Sequence, residues 1–589
     1  MKATILRRIA FLMACGCCLL SACGQGNTAH QHKFDQKNTT AQYLKTEADC
    51  VSPAFYYYSC SCGKAGEETF FDGRRLEHDF SAEVVADEYA IESGNCIKGG
   101  VYYKSCIYCG KKGYDFTIFH SGPIEKHEYT QEVPDGAFIH SEATATSAAV
   151  YYKSCVCGKV GEDTFSYGEY LRAYSDEEKV AYTPTSLTVT MYDCQGDIYG
   201  FTYNTQHRPL RPVIQVSKGE TLSENCEEYP AKVEQVSSYN TSGEIIEYYV
   251  VKTEVPLEPS ATYTYRAYDK YVDVGTSEVV METKDSTADS FSFAHVSDSQ
   301  NVPSSGAEFG KVLASVVGKN DFIVHTGDVV ENSKYEEEWT DMLHSNFSYL
   351  SKIPMMAISG NHETTYLNGS YETYKHFHNK LPQQESTRLG YFYSFVYGNA
   401  KFIMLNTNDL QGNNQLKSEQ YDWLVNELQN NSSRWTIVAM HNPMYSVGKW
   451  GSDPDRNQIC LALRQQLNGL FARYGVDLVL QGHDHTISRT YPIDEVGKVT
   501  EENWQIFDEI EYSINPLGVI YVMNGPAGGT ENSPFTTYDN SYYSYARASY
   551  SSSWADIQID GNTLTVTVQY ATATGVHTYK QWGIQKSSG

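Results

Sequence analysis

Five short motifs in the second half of the chain combine residue types that bind metal ions. In chain order they are Asp298-Ser299-Gln300, Gly327-Asp328, Gly360-Asn361-His362-Glu363, His441 within MHNP, and Gly482-His483-Asp484-His485. Carboxylate oxygens, amide oxygens and imidazole nitrogens are suitable donors for Mn, Fe or Zn. Each motif alone is a weak signal, but the five together predict a metal centre.

Each of these motifs follows a predicted strand. The apolar stretches FSFAHV, DFIVHT, IPMMAIS, WTIVAM and VDLVLQ end just before the five motifs. They alternate with the helical stretches GAEFGKVLASVVG, QLKSEQYDWLVNELQ and RNQICLALRQQLNGLFARY, a rhythm typical of an α/β fold. Ligands gather at the carboxyl ends of strands in such folds. We therefore expect the motif side chains to converge, with the glycines allowing sharp turns beside them.

The order D-x-[H], GD, GNH[ED], H, GHxH resembles that of the calcineurin-like metallophosphoesterases. The sequence RYGVDLVLQGHDH, with a β-rich segment before residue 287, is similar to bacterial relatives of purple acid phosphatases. The resemblance implies a four-layered α/β/β/α catalytic domain over residues 287–580. It also implies a dinuclear-metal phosphoesterase that hydrolyses phosphomonoesters by attack of a metal-bound hydroxide. Two alternatives stay open: a phosphodiesterase at the same site, and a non-catalytic cell-surface binding or adhesion protein with a degenerate phosphatase domain.

The resemblance further implies a role for each motif residue. The first metal ion would be held by Asp298, Asp328 and His485. The second would be held by Asn361, His441 and His483, with Asp328 bridging both ions at the catalytic centre. His362 would stabilise the transition state or protonate the leaving oxygen, whereas Glu363 and Asp484 would support the loops.

Two positions depart from the family pattern. Purple acid phosphatases have a tyrosine ligand three residues after the bridging aspartate, where this chain has Glu331. Other branches have a histidine where this chain has Gln300. Gln300 can still coordinate a metal ion through its carbonyl oxygen; alternatively, Glu331 or a water molecule completes the first site. The identity of the two ions, Fe, Mn or Zn, stays open.

Several other histidines are not expected to bind metal, because they lie within strand or helix patterns. These are His295, His325, His344, His376 and His378.

Three related copies of a cysteine-containing unit precede the α/β region. The strings AFYYYSCSCGKAGEETF, GVYYKSCIYCGKKGYDF and AVYYKSCVCGKVGEDTF place them at 32–72, 73–118 and 119–165. One histidine and three cysteines predict a structural zinc site in each of the first two copies, since a unit this small needs a cross-link. The predicted sets are His32, Cys50, Cys60 and Cys62 in the first copy, and His78, Cys96, Cys106 and Cys109 in the second.

The third copy departs from this pattern. It keeps His127, Cys155 and Cys157 but has Ala145 in place of a cysteine, so it has either lost its metal or uses His140. Disulfide bonds are the alternative to zinc for all three copies of an exported chain. The copies are expected to bind a surface partner or act as spacers.

The first residues resemble an export signal. Lys2, Arg7 and Arg8 precede an apolar run that ends in LSACG, which is similar to a bacterial lipobox. The resemblance implies a lipoprotein signal peptide over 1–22, lipidation of Cys23, and a tether over 23–31. The protein would then be an extracytoplasmic lipoprotein of the cell membrane; an ordinary cleaved signal peptide is the alternative.

A polar linker over 166–184 leads into short alternating strands over 185–286, which predict a fibronectin-III-like β-sandwich. Cys194 and Cys226 lie within it and could pair. The chain has 45 basic and 72 acidic side chains, giving a formal net charge of −27. This charge argues against a nucleic-acid partner. A small phosphorylated substrate would therefore need a strong local cation.

Overall fold

The computed structural model describes residues 31–114, 116–124, 127–300, 305–364, 371–382, 391–453, 455–528, 540–548 and 552–587. The predicted signal peptide and Cys23 lie outside these residues. The chain divides into two compact units, 1–127 and 128–589. Within the described ranges, no helix is both long enough and apolar enough to span a membrane.

Two small antiparallel sheets make up the first unit. Their strands are β1 (Leu44–Thr46), β2 (Ala54–Ser59), β3 (Ala65–Asp72), β4 (Ala90–Glu92), β5 (Val101–Tyr103) and β6 (Ile118–His120), with three consecutive strands in each sheet. The buried side chains are few and include Tyr43, Phe70 and Tyr102. A core this small stabilises a fold only weakly without a cross-link.

The second unit begins with a third sheet of the same kind. It contains β7 (Ile139–Ser141), β8 (Ala149–Ser154) and β9 (Val160–Tyr167). Helix α1 (Asp176–Val180) follows, with Ser175 and Glu178 forming a capping box at its start. An ion pair of 2.9 Å between Glu142 and the buried Arg211 attaches this sheet to the next domain.

Two antiparallel sheets then pack face to face. The strands are β10 (Thr185–Asp193), β11 (Ile198–Thr205), β12 (Pro212–Lys218), β13 (Glu227–Pro230), β14 (Lys232–Tyr239), β15 (Ile245–Pro256), β16 (Thr262–Asp269), β17 (Val274–Gly275) and β18 (Val279–Glu282). Their orders are β10-β11-β15-β14 and β13-β12-β16-β17, with β18 also on β16. Inward side chains such as Val189, Tyr203 and Ile214 form the shared core. Cys194 and Cys226 are both free thiols, so the suggested bond between them is wrong.

The remaining strands and helices form the α/β region. In chain order they are β19 (Ser290–Val296), α2 (Ser305–Val316), β20 (Phe322–His325), α3 (Glu336–His344), α4 (Phe347–Leu350), β21 (Met355–Ala357), α5 (Asn361–Thr364), α6 (Tyr371–His376), β22 (Tyr393–Tyr397), β23 (Ala400–Met404), α7 (Ser418–Gln429), β24 (Trp435–Met440), α8 (Lys449–Ser452), α9 (Gln458–Arg473), β25 (Leu478–Gln481), β26 (Thr486–Thr490), β27 (Trp504–Phe507), β28 (Ile510–Ile514), β29 (Ile520–Asn524), β30 (Tyr543–Ala548), β31 (Ser553–Asp560), β32 (Thr563–Thr572) and β33 (Gly575–Gln585). The five strands predicted before the metal motifs and the three predicted helices are all present.

These strands form two mixed sheets with the orders β21-β20-β19-β31-β32-β33-β28-β27 and β22-β23-β24-β25-β29-β26-β30. Strands β19, β20 and β21 run parallel, as do β23, β24 and β25. The sheets share one apolar core, in which the rings of Phe293 and Phe402 lie 5.1 Å apart. Helices α7 and α9 pack on the other face of the second sheet.

The sandwich packs directly against the α/β region. Asn204 donates to a carboxylate oxygen of Glu336 at 2.8 Å, and the Tyr265 hydroxyl donates to the carbonyl of Ser351 at 2.5 Å. Because these partners are buried, the hydrogen bonds hold the two parts in a fixed arrangement.

Candidate metal centre

The five motifs lie at the carboxyl ends of parallel strands from both sheets. Asp298, Asp328 and Asn361 follow β19, β20 and β21 of the first sheet. His441 follows β24 of the second sheet, and His483 and His485 follow β25. The structure brings these side chains together where the edges of the two sheets meet.

One group of donors surrounds the Asp328 carboxylate. Nε2 of His441 lies 3.2 Å from Oδ2 of Asp328 and 2.9 Å from Oδ1 of Asn361. Donor atoms of Asp328, His441 and His483 all lie within 4.8 Å of one another. These separations match donors that share a single ion.

A second group lies around Asp298. Its Oδ1 is 3.6 Å from Nε2 of His485, and both of its carboxylate oxygens accept the backbone N–H of His483 at 3.1 Å. Gln300 is buried beside it and donates from Nε2 to Oδ2 of Asp328 at 3.4 Å. The carbonyl oxygen of Gln300 is buried and has no hydrogen-bond partner among the described residues.

The donor chemistry fits two metal ions of the Mn, Fe or Zn kind. Asp298 and Asp328 are each only 1% exposed, and a buried carboxylate is costly unless a cation compensates it. Three imidazoles and one amide oxygen complete the set. The unpartnered oxygen of Gln300 is the atom that a metal ion would satisfy.

Unusual backbone conformations aim the ligand side chains. Asp298, Asp328 and His483 have φ angles of 52°, 54° and 75°, in the left-handed region. The glycines beside them leave no room for a side chain. A Cβ on Gly360 would lie 2.0 Å from Oδ1 of Asp328, and one on Gly482 would lie 2.1 Å from Oγ of Ser297.

Glu363 holds the two turns that carry Asp328 and Asn361. Its fully buried carboxylate accepts the backbone N–H groups of Asp328, Val329 and Gly360 at 2.7–2.9 Å and that of Val330 at 3.4 Å. Glu363 therefore fixes the backbone from which Asp328 reaches the site.

The Thr326 carbonyl sets the tautomer of His441. It accepts the proton of His441 Nδ1 at 2.8 Å, which leaves Nε2 free toward Asp328 and Asn361. A hydrogen bond of this kind orients a histidine ligand and raises its basicity. The sequence held no signal for it, because the acceptor is a main-chain atom.

Burial and neighbouring charges shift the pKa values of two histidines in the site. Burial alone would lower the pKa of His441, but the adjacent Asp328 outweighs it and raises that pKa to about 9. Burial and the neighbouring His441 lower the pKa of His483 to about 4. The site therefore attracts positive charge beside Asp328.

His362 lies at the rim of the site. Its Nδ1 donates to the Glu331 carbonyl at 2.6 Å, and its Nε2 lies 3.8 Å from Oδ2 of Asp328. Burial lowers the pKa of His362, but Asp328 and the Glu331 carbonyl together outweigh burial, so that pKa is raised. The Glu331 carboxylate lies 3.8 Å from His362 Nδ1 and is 38% exposed, so it faces His362 and solvent.

Trp450 covers one side of the site, a position that the sequence did not predict. Its ring lies 5.3 Å from that of His483. Asp484 holds this segment by accepting the N–H groups of Trp450 and Gly451 at 3.1 and 3.0 Å. Lys449 and Arg456 lie 5.0 and 5.3 Å from the Trp450 ring, so cations stand beside the site despite the acidic chain.

His295 and His325 are fully buried in β19 and β20, and each is held neutral by a donor on Nδ1. Asn524 donates to Nδ1 of His295 at 2.7 Å, and the Gly327 N–H donates to Nδ1 of His325 at 3.2 Å. Burial lowers the pKa of His295 to about 3 and that of His325 to about 4. His376 and His378 contact residues of the sandwich through Asn204 and Glu254; the fifth histidine of this set, His344, ends helix α3.

In each zinc set predicted within the first two repeats, three of the four donors lie together, but the assignments of Cys50 and Cys96 are wrong. Cys50 is grouped with His78, Cys106 and Cys109 of the second repeat, in the place predicted for Cys96. His32, Cys60 and Cys62 form a separate group of three. The reason is that the six-residue strand β2 separates Cys50 from Cys60 by about 20 Å of extended chain.

In the third repeat, Cys155 is buried and Cys157 is exposed. His140 packs its ring against Tyr152 at 4.9 Å. The metal assignment of this repeat, including His127, stays a prediction.

Comparison with known proteins agrees with this arrangement. Residues 291–486 match the family model of the calcineurin-like phosphoesterases. The chain is 29% identical to human acid phosphatase type 7 over 243 residues, 38% of this chain and 51% of the relative. It is 28% identical to purple acid phosphatase 23 of Arabidopsis thaliana over 203 residues, 33% of this chain and 39% of the relative. The chain thus spans about half the length or less of these curated relatives.

A solved structure shows the same fold over a longer region. Purple acid phosphatase PPD1 from yellow lupin superposes with a TM-score of 0.57, covering 75% of this chain and 80% of that chain at 16% identity. The chain therefore contains a calcineurin-like phosphoesterase domain and is a homologue of the purple acid phosphatases.

Proposed function

We propose that the protein is a metal-dependent phosphoesterase that hydrolyses small phosphomonoesters at a dinuclear centre. The observation that carries the proposal is the convergence of six donor side chains from the ends of five strands, with Asp328 between the two groups. The similarity to acid phosphatases of human and Arabidopsis origin favours a phosphomonoester over a phosphodiester.

Each of the two donor groups would bind one metal ion. Asp298, His485 and the Gln300 carbonyl oxygen would hold one ion. Asn361, His441 and His483 would hold the other, with the Asp328 carboxylate shared. When bound, two such ions lower the pKa of a water molecule and neutralise charge on the phosphoryl oxygens.

The side chains of the protein supply the rest of the chemistry. The leaving oxygen needs a proton when its bond to phosphorus breaks, and Nε2 of His362 is the available donor at the rim. Its other nitrogen is occupied by the Glu331 carbonyl, which fixes the direction of the ring. Burial lowers the pKa of His362, but Asp328 and the Glu331 carbonyl together raise it, which favours the protonated form that proton donation requires.

A direct assay tests the proposal. Hydrolysis of p-nitrophenyl phosphate and bis(p-nitrophenyl) phosphate would be measured after loading with Mn, Fe, Zn or Mg. We expect turnover of the monoester by the wild type and none by Asp328→Asn. Asp422→Asn, an exposed carboxylate on α7, is the matched control and should retain activity.

Two results would contradict the proposal. Equal rates for the wild type and Asp328→Asn with every metal would mean that the domain is not an enzyme of this kind. Faster turnover of the diester than of the monoester would replace the substrate assignment and leave the centre intact.

We also propose that a lipid on Cys23 anchors the protein outside the cytoplasm. The support is the sequence LSACG after a short apolar run preceded by basic residues. Metabolic labelling with a palmitate analogue should label the wild type and leave Cys23→Ala unlabelled. Equal labelling of both would exclude Cys23 as the acceptor.

A further inference from the structure

Three thiols and one imidazole meet in the first unit, in a group made by two successive repeats. The donor atoms of Cys50, His78, Cys106 and Cys109 all lie within 4.8 Å of one another. The Cys50 and Cys106 sulfurs are 3.6 Å apart, and the Cys109 sulfur is 3.4 Å from Nδ1 of His78. The four donors therefore surround a common centre.

These distances suit a tetrahedral zinc ion. Zinc binds sulfur at about 2.3 Å, so two sulfurs on one tetrahedral ion lie about 3.8 Å apart. A disulfide needs its sulfurs at about 2.05 Å, much closer than the observed 3.6 Å. Three thiols also cannot all pair within the group, whereas one histidine and three cysteines complete a structural zinc site.

We propose that Cys50, His78, Cys106 and Cys109 bind one structural zinc ion that fastens the first repeat to the second. Cys50 is the only donor of the four that comes from the first repeat. The ion would therefore cross-link two consecutive repeats, whereas an ion bound by donors of one repeat would cross-link only that repeat.

The loop that carries Cys50 contacts the second repeat. The Asp49 side chain accepts the N–H groups of Val51 and Ser52 at 2.7 and 2.6 Å, which closes the turn around Cys50. The Asp49 carbonyl accepts the N–H of Leu76 at 2.9 Å. Leu76 stands two residues before His78, so this bond places the histidine beside the Cys50 loop.

A tight turn presents the other two thiols. The N–H of Gly110 donates to the Cys106 carbonyl at 2.8 Å, and the N–H of Ile107 donates to the Asp79 carbonyl at 3.0 Å. The second bond joins the turn to the residue after His78. Tyr89 donates its hydroxyl to the Gly110 carbonyl at 2.7 Å and holds the turn from outside.

The pattern of the sequence agrees with a donor that serves the following repeat. The Cys50 position is occupied by Ala145 in the third copy, and no fourth copy follows residue 165. If the cysteine at this position served its own repeat, the third copy would need it as much as the first two copies do. If it serves the following repeat, the third copy does not need it.

Counting zinc in the intact chain tests the proposal. Native mass spectrometry of the zinc-loaded full chain would compare Cys50→Ala, Cys109→Ala and the double variant. Each single variant should lose one zinc ion relative to the wild type, and the double variant should lose the same single ion. Cys50→Ala combined with Cys62→Ala should lose one ion more than Cys62→Ala alone, because Cys62 belongs to another group.

A conservative replacement separates ligation from folding. Cys50→His offers a new donor and should retain the zinc ion that Cys50→Ala loses. Its cobalt-substituted form should show weaker sulfur-to-cobalt charge-transfer absorption than the wild type. This result would show that position 50 binds the ion and is not needed only for packing.

Three outcomes would overturn the proposal. One is an unchanged zinc count in Cys50→Ala. A second is the loss of two ions in Cys50→Ala/Cys109→Ala, together with a loss in Cys50→Ala/Cys62→Ala that is no greater than the loss in Cys62→Ala alone. That pattern would place Cys50 in the same zinc site as Cys62. A third is a protein without zinc at these residues whose mass under non-reducing conditions shows a disulfide involving Cys50.

Discussion

The buried carboxylate of Glu363 allows a quantitative test of how the metal centre is held. Its two oxygens accept four backbone N–H groups, from Asp328, Val329, Val330 and Gly360. Glu363→Gln keeps the shape of the side chain but replaces one oxygen with an amide group. That amide would face two N–H groups, which it cannot accept.

The expected cost follows from those two donors. A buried donor left without an acceptor costs about 1–3 kcal/mol, so the substitution should lower the free energy of unfolding by about 2–6 kcal/mol. The backbone of Asp328 would also lose its fixed position. Loss of such a supporting hydrogen bond weakens metal binding by about 10- to 100-fold.

Urea unfolding of the metal-free protein and a metal-binding titration would measure the two effects. Glu337→Gln, an exposed glutamate on α3, is the control, and a surface substitution of this kind changes stability by no more than about 0.5 kcal/mol. Wild-type stability and wild-type metal affinity in Glu363→Gln would refute the reasoning, since two buried N–H groups cannot lose their acceptor without effect.

Three other predictions concern the rim and the core of the site. His362→Gln should lower kcat by about 100- to 10,000-fold for an alkyl phosphate, and by less for p-nitrophenyl phosphate, whose leaving group needs no proton; equal losses for both substrates would exclude proton donation. Trp450→Ala should raise KM about fivefold for aryl phosphates, corresponding to about 1 kcal/mol of ring contact, and leave KM for glycerol phosphate unchanged; equal changes for both would exclude a ring contact. His295 and His325 have folded-state pKa values of about 3 and about 4, below the unfolded value of about 6.5, so stability should fall as the pH drops below about 6.5. Each of these histidines contributes about 1.4 kcal/mol of stability per pH unit between about 6.5 and its folded-state pKa. His295→Gln should therefore reduce the slope of the unfolding free energy, measured in urea, against pH. An unchanged slope would assign the acid sensitivity to other groups.

The convergence of the candidate metal donors could be predicted from sequence because these residues stand at strand ends. An apolar run that stops at Asp298 or His441 predicts where that side chain lies in the fold, since parallel strands end at a common edge. Strand β14 shows the converse. In β14, Lys232, Glu234 and Gln235 are exposed, so the stretch lacks the apolar signal of a buried strand.

Contacts between segments that are distant along the chain could not be predicted from the sequence. Trp450 lies in a short helix with no metal-binding pattern, and its N–H and that of Gly451 donate to the distant Asp484 side chain, which helps hold the helix beside His483. Cys50 illustrates a different failure. One histidine and three cysteines within a repeat suggested that each repeat forms its own site, although a strand between Cys50 and Cys60 keeps these two residues apart.

The left-handed backbone at Asp298, Asp328 and His483 bears on how such a domain would evolve if its activity were no longer needed. This conformation costs about 1 kcal/mol or more at each non-glycine residue, so the three together take up a substantial part of a typical stability of about 5–15 kcal/mol. Glycine would relieve that cost at every one of the three positions. In an inactive descendant, glycine would therefore be the residue that best fits the backbone conformation at positions 298, 328 and 483.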